Sequence, residues 1–366
     1  MDIRDAVAAS ILPGPGQRRM AEILRAGGSS QLAERAPAER AGVTLESLMR
    51  AVGGGADVRT RADALREAAG QLLIRARRHG IEALALDDGR YPRALAEIFD
   101  PPLVLWLGGQ FEALGGPAVA VVGSRAASPY ALEVAERLGS DLAARGVTVV
   151  SGLARGVDSA AHRGALAGGG KTIAVLGSGV DVIYPAEHDA LAEAIRARGA
   201  VISELAPGTP PRPFHFPRRN RLISGLSLAV VVVEASEDSG SLITAECALD
   251  QGRDVMAVPG SVLSGRNRGS HALLKDGATV VESADDILEE LQGAWPAGAS
   301  TNAVDRPTDD PVLRHMTAGD AYDLDGLAQA SGVDRVKLLT RLLELELAGA
   351  VRRVDGGRFV RSRRTC

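Results

Sequence analysis

From residue 118 onward the chain alternates between two kinds of segment. Short, near-continuous runs of Val, Ile, Ala and Leu occupy 118–122, 147–150, 172–176, 200–203, 228–234, 255–258 and 279–281. Between most of them lie longer stretches whose apolar residues recur every three or four positions. Runs of the first kind suit strands buried on both faces, and stretches of the second kind suit helices laid over them. Alternation of the two predicts the α/β class, with a Rossmann-like, doubly wound, mostly parallel sheet. The helix after the first run is the best marked. Ser128 can cap it, Pro129 takes its first position, and Leu132, Ala135, Leu138 and Leu142 fall on one face.

Outside this region the pattern changes. Residues 1–85 read as a small N-terminal helical domain of the SAM or helix-hairpin-helix kind. It has a Gly/Pro hairpin at 11–16 and helical spacing at Met20, Ile23 and Leu24. The Rossmann-like domain is expected over 86–292. It opens with a connector broken by Tyr91-Pro92 and Asp100-Pro101-Pro102 and holding a short strand at 103–107. A Pro/Gly/Ala/Asp-rich linker follows at 293–311. Residues 312–366 read as helix, helix and β-hairpin, the outline of a winged-helix module. In its candidate recognition helix, Arg335, Lys337 and Arg341 are offset by Glu344 and Glu346, and leucines dominate the rest. That balance predicts a packing helix with at most a weak second grip on DNA.

Composition narrows the function. No apolar run approaches the roughly 18–20 residues that span a bilayer, and the start Met1-Asp2-Ile3-Arg4-Asp5 lacks a secretory pattern. Cys247 and Cys366 give neither a disulfide framework nor a metal cluster, so a cytoplasmic protein without metal or cofactor is expected. The formal net charge of −4 argues against nucleic acid only on the scale of the whole chain. Phosphate binding needs a local patch.

In a doubly wound sheet, ligands bind beyond the carboxyl ends of the strands. The residues there are Gly123-Ser124-Arg125 after the first strand and 151–158, including Gly152, after the second. Residues 177–181 follow the third, and Glu234-Ala235 leads to Ser239-Gly240-Ser241 after the fifth. Small residues at these ends let backbone N–H groups approach an anion, and Arg125 adds a bidentate donor. The segment 211–221 carries four arginines, Phe214, His215 and Phe216 and no acid, and is read as a loop on the same edge. Interleaved Arg and aromatic rings match single-stranded nucleic acid, where Arg binds phosphate and a ring stacks a base. The candidate nucleic-acid-binding residues are Gly123, Ser124, Arg125, Gly152, Phe216, Arg218, Arg219, Asn220, Ser239, Gly240 and Ser241. Arg125 and Arg219 are expected on phosphate and Phe216 on a base.

Enzymatic readings fare worse. The run 174–179 begins like a dinucleotide fingerprint, but Val182 stands where the third Gly belongs. No phosphate-binding Gly-x-x-x-x-Gly-Lys-Ser/Thr loop occurs. His162 reads as a loop-orienting residue rather than a base, and Cys247 as core. The main rival is a phosphoribohydrolase of the lysine-decarboxylase-like type, whose Pro-Gly-Gly-x-Gly-Thr-x-x-Glu motif residues 239–246 approach. There Glu246 follows Thr244 one position too early, about 100° off the intended helix face.

Taken together, these segments resemble the DNA-processing protein A family (DprA/Smf). The resemblance runs through Val121-Val122-Gly123-Ser124-Arg125, 151–158 with Ala161-His162, 172–181 with Tyr184-Pro185, 216–223, 233–235 with 239–245, and Ala257-Val258-Pro259-Gly260. It implies a protein, not an enzyme, that binds and protects incoming single-stranded DNA and loads RecA recombinase in natural transformation. It also implies a homodimer formed through the Rossmann domain, with a phosphate pocket at Gly123-Ser124-Arg125 and the Phe–Arg–Asn segment. His188 departs from the pattern, where Asn is expected after Tyr-Pro, and lysines are scarce around the pocket.

Overall fold

The computed structural model describes residues 1–12, 19–24, 44–52, 57–291, 310–316, 321–347, 350–354 and 358–361. Most of the expected hairpin at 11–16 and nearly all of the expected linker at 293–311 lie outside the described residues. The chain divides into two compact units, Met1–Asn302 and Ala303–Cys366.

The first unit is built on a sheet of strands β1 (Ile81–Ala85), β2 (Val104–Gly109), β3 (Ala118–Val122), β4 (Thr148–Ser151), β5 (Thr172–Val175), β6 (Ala200–Ser203), β7 (Ala229–Val232), β8 (Asp254–Ala257) and β9 (Thr279–Val280). Their spatial order is β1-β2-β6-β5-β4-β3-β7-β8-β9. All neighbours from β6 to β9 run parallel, while β2 is antiparallel to both β1 and β6. Chain order reverses between β3 and β7, so the switch point of a doubly wound sheet falls there. The strands β3 and β7 at the switch point each feed two cores. Ala118, Ala120 and Val122 join one apolar layer, and Val119 and Val121 join the other. That is what period-two alternation does in a strand covered on both faces.

The helices Pro129–Ala144 and Val157–Ala167, which follow β3 and β4, pack backbone to backbone. A Cβ on Gly164 would lie 1.9 Å from the Glu136 carbonyl, and one on Gly139 would lie 2.4 Å from that of Ala161. Ser128 caps the first of these helices and Pro129 sits at its first position, as the sequence predicts.

Residues 81–85 differ from expectation. They read as the end of a helical domain but form β1, an edge strand registered against β2. Ile-Glu-Ala-Leu-Ala has little intrinsic strand preference, so pairing with β2 decides its state. The preceding helix Val58–Arg78 ends just before Gly80, whose φ of 65° turns the chain into the sheet. The helices Ile3–Ser10, Leu45–Ala51 and Val58–Arg78 place Ala6, Val7, Leu45, Leu48, Met49 and Ala69 in the same apolar layer as β1 and β2. No described helix is long and apolar enough to cross a membrane.

The second unit has its own core of Leu327, Leu338, Leu342 and Phe359. Helices Leu324–Ser331 and Arg335–Leu347 accompany a small antiparallel sheet, ordered β10 (Ala321–Tyr322), β12 (Arg358–Arg361) and β11 (Val351–Val354). This is the expected winged-helix outline.

One guanidinium ties the helices Ile3–Ser10, Leu45–Ala51 and Val58–Arg78 together. Arg66 Nε donates to Asp5 at 2.6 Å, and its Nη1 and Nη2 donate to Glu46 at 2.6 and 2.9 Å. The hydrogen bond from Arg66 is the main reason the Glu46 carboxyl falls to about 2. A carboxylate depressed in the folded state stabilises it above the unfolded pKa, and this contribution is lost as pH falls toward the folded one. The helical bundle is therefore expected to loosen between about pH 4.5 and pH 2. Arg66→Met should raise that acid midpoint, followed by circular dichroism against pH; an unchanged midpoint would remove Arg66 from this role.

Candidate nucleic-acid interface

The carboxyl ends of β3, β4, β5 and β7 share one edge of the sheet. The connection after β4 is shaped by Asp158, buried in the first turn of Val157–Ala167. Its carboxylate accepts from the N–H of Gly152 at 3.0 Å and of Ala154 at 3.4 Å. Between them Leu153 is held at φ 57°, an uncommon left-handed conformation for a branched residue. His188 Nδ1 donates to the Leu153 carbonyl at 2.9 Å. The histidine that departs from the family pattern thus makes a local structural contact.

Beneath this loop lies Arg219, only 4% exposed, with Nη2 donating to the Gly152 carbonyl at 3.3 Å. Its Nε and Nη1 have no hydrogen-bond partner among the described residues. Burial pulls the Arg219 pKa down to about 10, against the pull of the Asp158 charge. Burial likewise raises the Asp158 carboxyl, and Arg219 and the loop N–H groups limit the rise. The two are opposite charges buried near each other without a direct ion-pair contact. His162, on the same helix, is fully buried; its Nδ1 lies 2.7 Å from Thr172 Oγ1, and burial drives its pKa down to about 3. It is neutral and structural.

Of the segment read as a basic loop, 211–214 is non-helical and the rest lies on a helix, His215–Gly225. Three prolines suggested a stiff loop, but Pro217 falls within the first turn, where its missing N–H removes no helical bond. On a helix, neighbouring side chains diverge, so the arginines do not form one basic surface. Arg218 points out and lies 3.5 Å from Glu204, while Arg219 points under the loop. Asn220 Nδ2 donates to the Gly240 carbonyl at 3.1 Å, and Arg221 pairs with Glu204 at 2.7 Å. Arg219 therefore sits under the rim, not on it.

The glycines have unexpected reasons. A Cβ on Gly152 would lie 1.7 Å from Arg219 Nη1, and one on Gly123 would lie 2.7 Å from the Val157 side chain. One on Gly177 would meet the Phe216 ring at 2.9 Å. Each makes room for a protein side chain. Gly240 differs, with nothing within 4 Å of its Cβ position. Beside it Ser239 caps the helix Gly240–Asp250, and the Ser239 and Ser241 hydroxyls are 2.7 Å apart. Ser124 is pinned, its N–H donating to the Glu234 carbonyl at 2.7 Å and its carbonyl accepting from Val157 N–H at 3.2 Å.

What these supports expose is a cation and a group of rings. Arg125 is exposed, and its guanidinium carbon stands 5.5 Å from the centre of the Phe216 ring. The Tyr184 ring centre lies 5.5 Å from that of Phe216, and Phe214 packs edge-on against His215. Tyr184 and Phe214 are 44% and 62% exposed. Tyr184 and Asp158 fall within the matched motifs but not among the candidate nucleic-acid-binding residues. The position of Tyr184 just after β5, on the ligand edge, was the available signal for it. The approach of Asp158 and Arg219 left none, because it joins two helices far apart in the chain.

A family model described as DNA recombination-mediator protein A matches residues 82–292, and a DprA winged-helix model matches 296–357. The chain belongs to the DprA/Smf family. It is 43% identical to Protein Smf of Escherichia coli over 76% of this chain and 77% of that protein. The crystal structure of DNA processing protein A from Streptococcus pneumoniae superposes with a TM-score of 0.67 at 36% identity, over 79% of this chain and 98% of that one. That of DNA processing protein A from Helicobacter pylori, described for its single-stranded DNA binding mode, gives 0.53 at 28% identity, over 59% and 97%.

If Asp158 organises the loop, Asp158→Ala should cost about 1–3 kcal/mol of unfolding free energy, since it leaves the buried N–H groups of Gly152 and Ala154 without their acceptor. Denaturant titration measures this, and a loss below about 1 kcal/mol would show that the loop is held some other way.

Proposed function

We propose that the chain binds single-stranded DNA along this edge, as the family relationship and the cluster of Arg125, Phe216 and Tyr184 together support. The single observation that carries the reading is Arg125 set over the Phe216 ring. It brings a phosphate donor and a stacking surface within one nucleotide's reach. In the cell the protein then protects incoming single strands and loads RecA, acting as a cytoplasmic homodimer. It does so without chemistry of its own: His162 is sealed in the core, and Glu246, the acid that a phosphoribohydrolase would need in its site, is exposed on the helix Gly240–Asp250.

A titration of the full chain with single- and double-stranded oligonucleotides tests this. Single strands should be preferred, with a salt slope of about −0.7 per phosphate neutralised. Equal affinity for duplex at every salt concentration would end the reading. Arg125→Ala should flatten the slope by about one phosphate, and Phe216→Ala should cost about 1–3 kcal/mol. Because the two side chains touch, the double variant should lose less than the sum of the singles. Strict additivity would separate their roles.

The winged-helix unit serves as an auxiliary grip. Arg341 on its second helix pairs with Asp310 at 2.7 Å and Glu344 at 2.6 Å, and Arg335 pairs with Asp325. With those cations occupied, removal of residues 303–366 should change affinity for a short oligonucleotide by about 1 kcal/mol or less. Longer strands should bind more weakly, having lost a linked second site. A large loss on the short strand, with the truncated protein folded, would make the winged helix the primary site.

A further inference from the structure

Farther along the same edge, toward β8, a cleft of about 510 Å3 opens beside the switch point. Its walls come from Ser128 and Tyr130 at the start of the helix after β3, from Glu234 at the end of β7, and from Pro259, Arg266 and Asn267 after β8. The volume falls within the roughly 300–1,000 Å3 of small-molecule sites. No residue proposed above to contact DNA lines it. Arg266 Nη1 donates to the Ala126 carbonyl at 2.6 Å, so the cleft shares a wall with the connection that carries Arg125.

The cleft adds a buried acid that the rim lacks. Glu234 is 1% exposed, and its oxygens accept from the Ser128 N–H at 3.1 Å and the Ser128 hydroxyl at 2.6 Å. A carboxylate offers about four acceptor positions, so capacity remains after Ser128 is served. The buried acid, across the cleft from the exposed Arg266, favours a group bearing N–H donors. Tyr130 is 52% exposed and its hydroxyl donates to the Pro259 carbonyl at 3.2 Å, which holds the ring at the cleft. Asn267, 4% exposed, adds a buried amide. A flat ring to stack on, beside an acceptor for N–H groups, is the recognition chemistry of an unpaired nucleobase.

We propose that this cleft is a nucleobase subsite, in which the base of a nucleotide next to the phosphate at Arg125 stacks on Tyr130 and donates to Glu234. It rests on the single-stranded DNA reading and adds a preference at one position to contacts that otherwise ignore sequence. Cytosine, adenine and guanine carry amino groups that suit a carboxylate. Thymine offers one N–H flanked by two carbonyl oxygens and is disfavoured.

The test is a binding titration of the full chain with oligodeoxycytidylate and oligodeoxythymidylate of equal length, in mildly alkaline buffer. Free deoxycytidine 5′-monophosphate serves as a separate titrant. The cytidine strand should bind about tenfold more tightly, and Tyr130→Ala should remove about tenfold of its affinity without changing the salt slope. Glu234→Gln, which keeps an oxygen for Ser128 and whose folding circular dichroism checks, should bring the two strands within about twofold. Equal binding of both strands by the unaltered protein overturns the subsite while leaving the DNA reading intact. So does a cytidine strand indifferent to Tyr130→Ala. Tight binding of the free mononucleotide that Tyr130→Ala abolishes, with strand binding untouched, would assign the cleft to free nucleotides instead. Failure to bind either strand would overturn the DNA reading itself.

Discussion

A carboxylate buried in the first turn of a helix must draw its hydrogen bonds from its immediate surroundings, and Asp158 draws them from the loop that precedes it. The loop is fixed as a result, with Leu153 in a left-handed conformation and its carbonyl turned to His188. The negative charge in turn admits Arg219 to a place where a lone guanidinium would be too costly. Arg219 then dictates a glycine at 152. Phe216 stands three residues before Arg219 on the same helix, so one anchor sets the orientation of both. The ring is thereby turned toward Gly177, Tyr184 and Arg125. The exposed contacts are thus oriented by charges that never reach solvent.

The parallel strands were legible in the sequence because a strand covered on both faces must be apolar at every position, and 118–122 and 229–232 are. The edge strand at 81–85 was not, since its sequence is indifferent and only β2 makes it a strand. At the candidate site, the place of Arg125 beyond the end of β3 followed from topology, and the structure leaves it exposed. The meaning of the glycines did not follow: Gly123, Gly152 and Gly177 face Val157, Arg219 and Phe216, partners remote in sequence. The density of arginines in 211–221 misled for a related reason. Loop and helix carry the same letters, but a helix sends Arg218, Arg219 and Arg221 to different neighbours.

The switch point divides the edge. On the side of β4 and β5 it presents Arg125 and aromatic rings, and on the side of β7 and β8 it presents an open cleft lined by Glu234, Tyr130 and Arg266. Glu234 serves both sides: its backbone carbonyl holds Ser124, while its side chain holds Ser128. The connection after β3 is therefore clamped at two points by one residue of β7's end. The proposed phosphate contact at Arg125 and the proposed base cleft thus lie on either side of one doubly held connection.

The two borders of the large sheet carry a further consequence. At one border β9 is two residues long, and at the other β1 bears the exposed Glu82, with Arg90 at 3.4 Å. An outer strand of one or two hydrogen bonds is a poor template for another chain, and a charged one resists desolvation. Although the interior strands are as rich in valine as any aggregation-prone peptide, their backbone groups are spent on each other and the borders have little to offer. The architecture therefore favours association of such molecules through side-chain surfaces over fusion of their sheets, and this protects against fibril-like stacking at high local concentration.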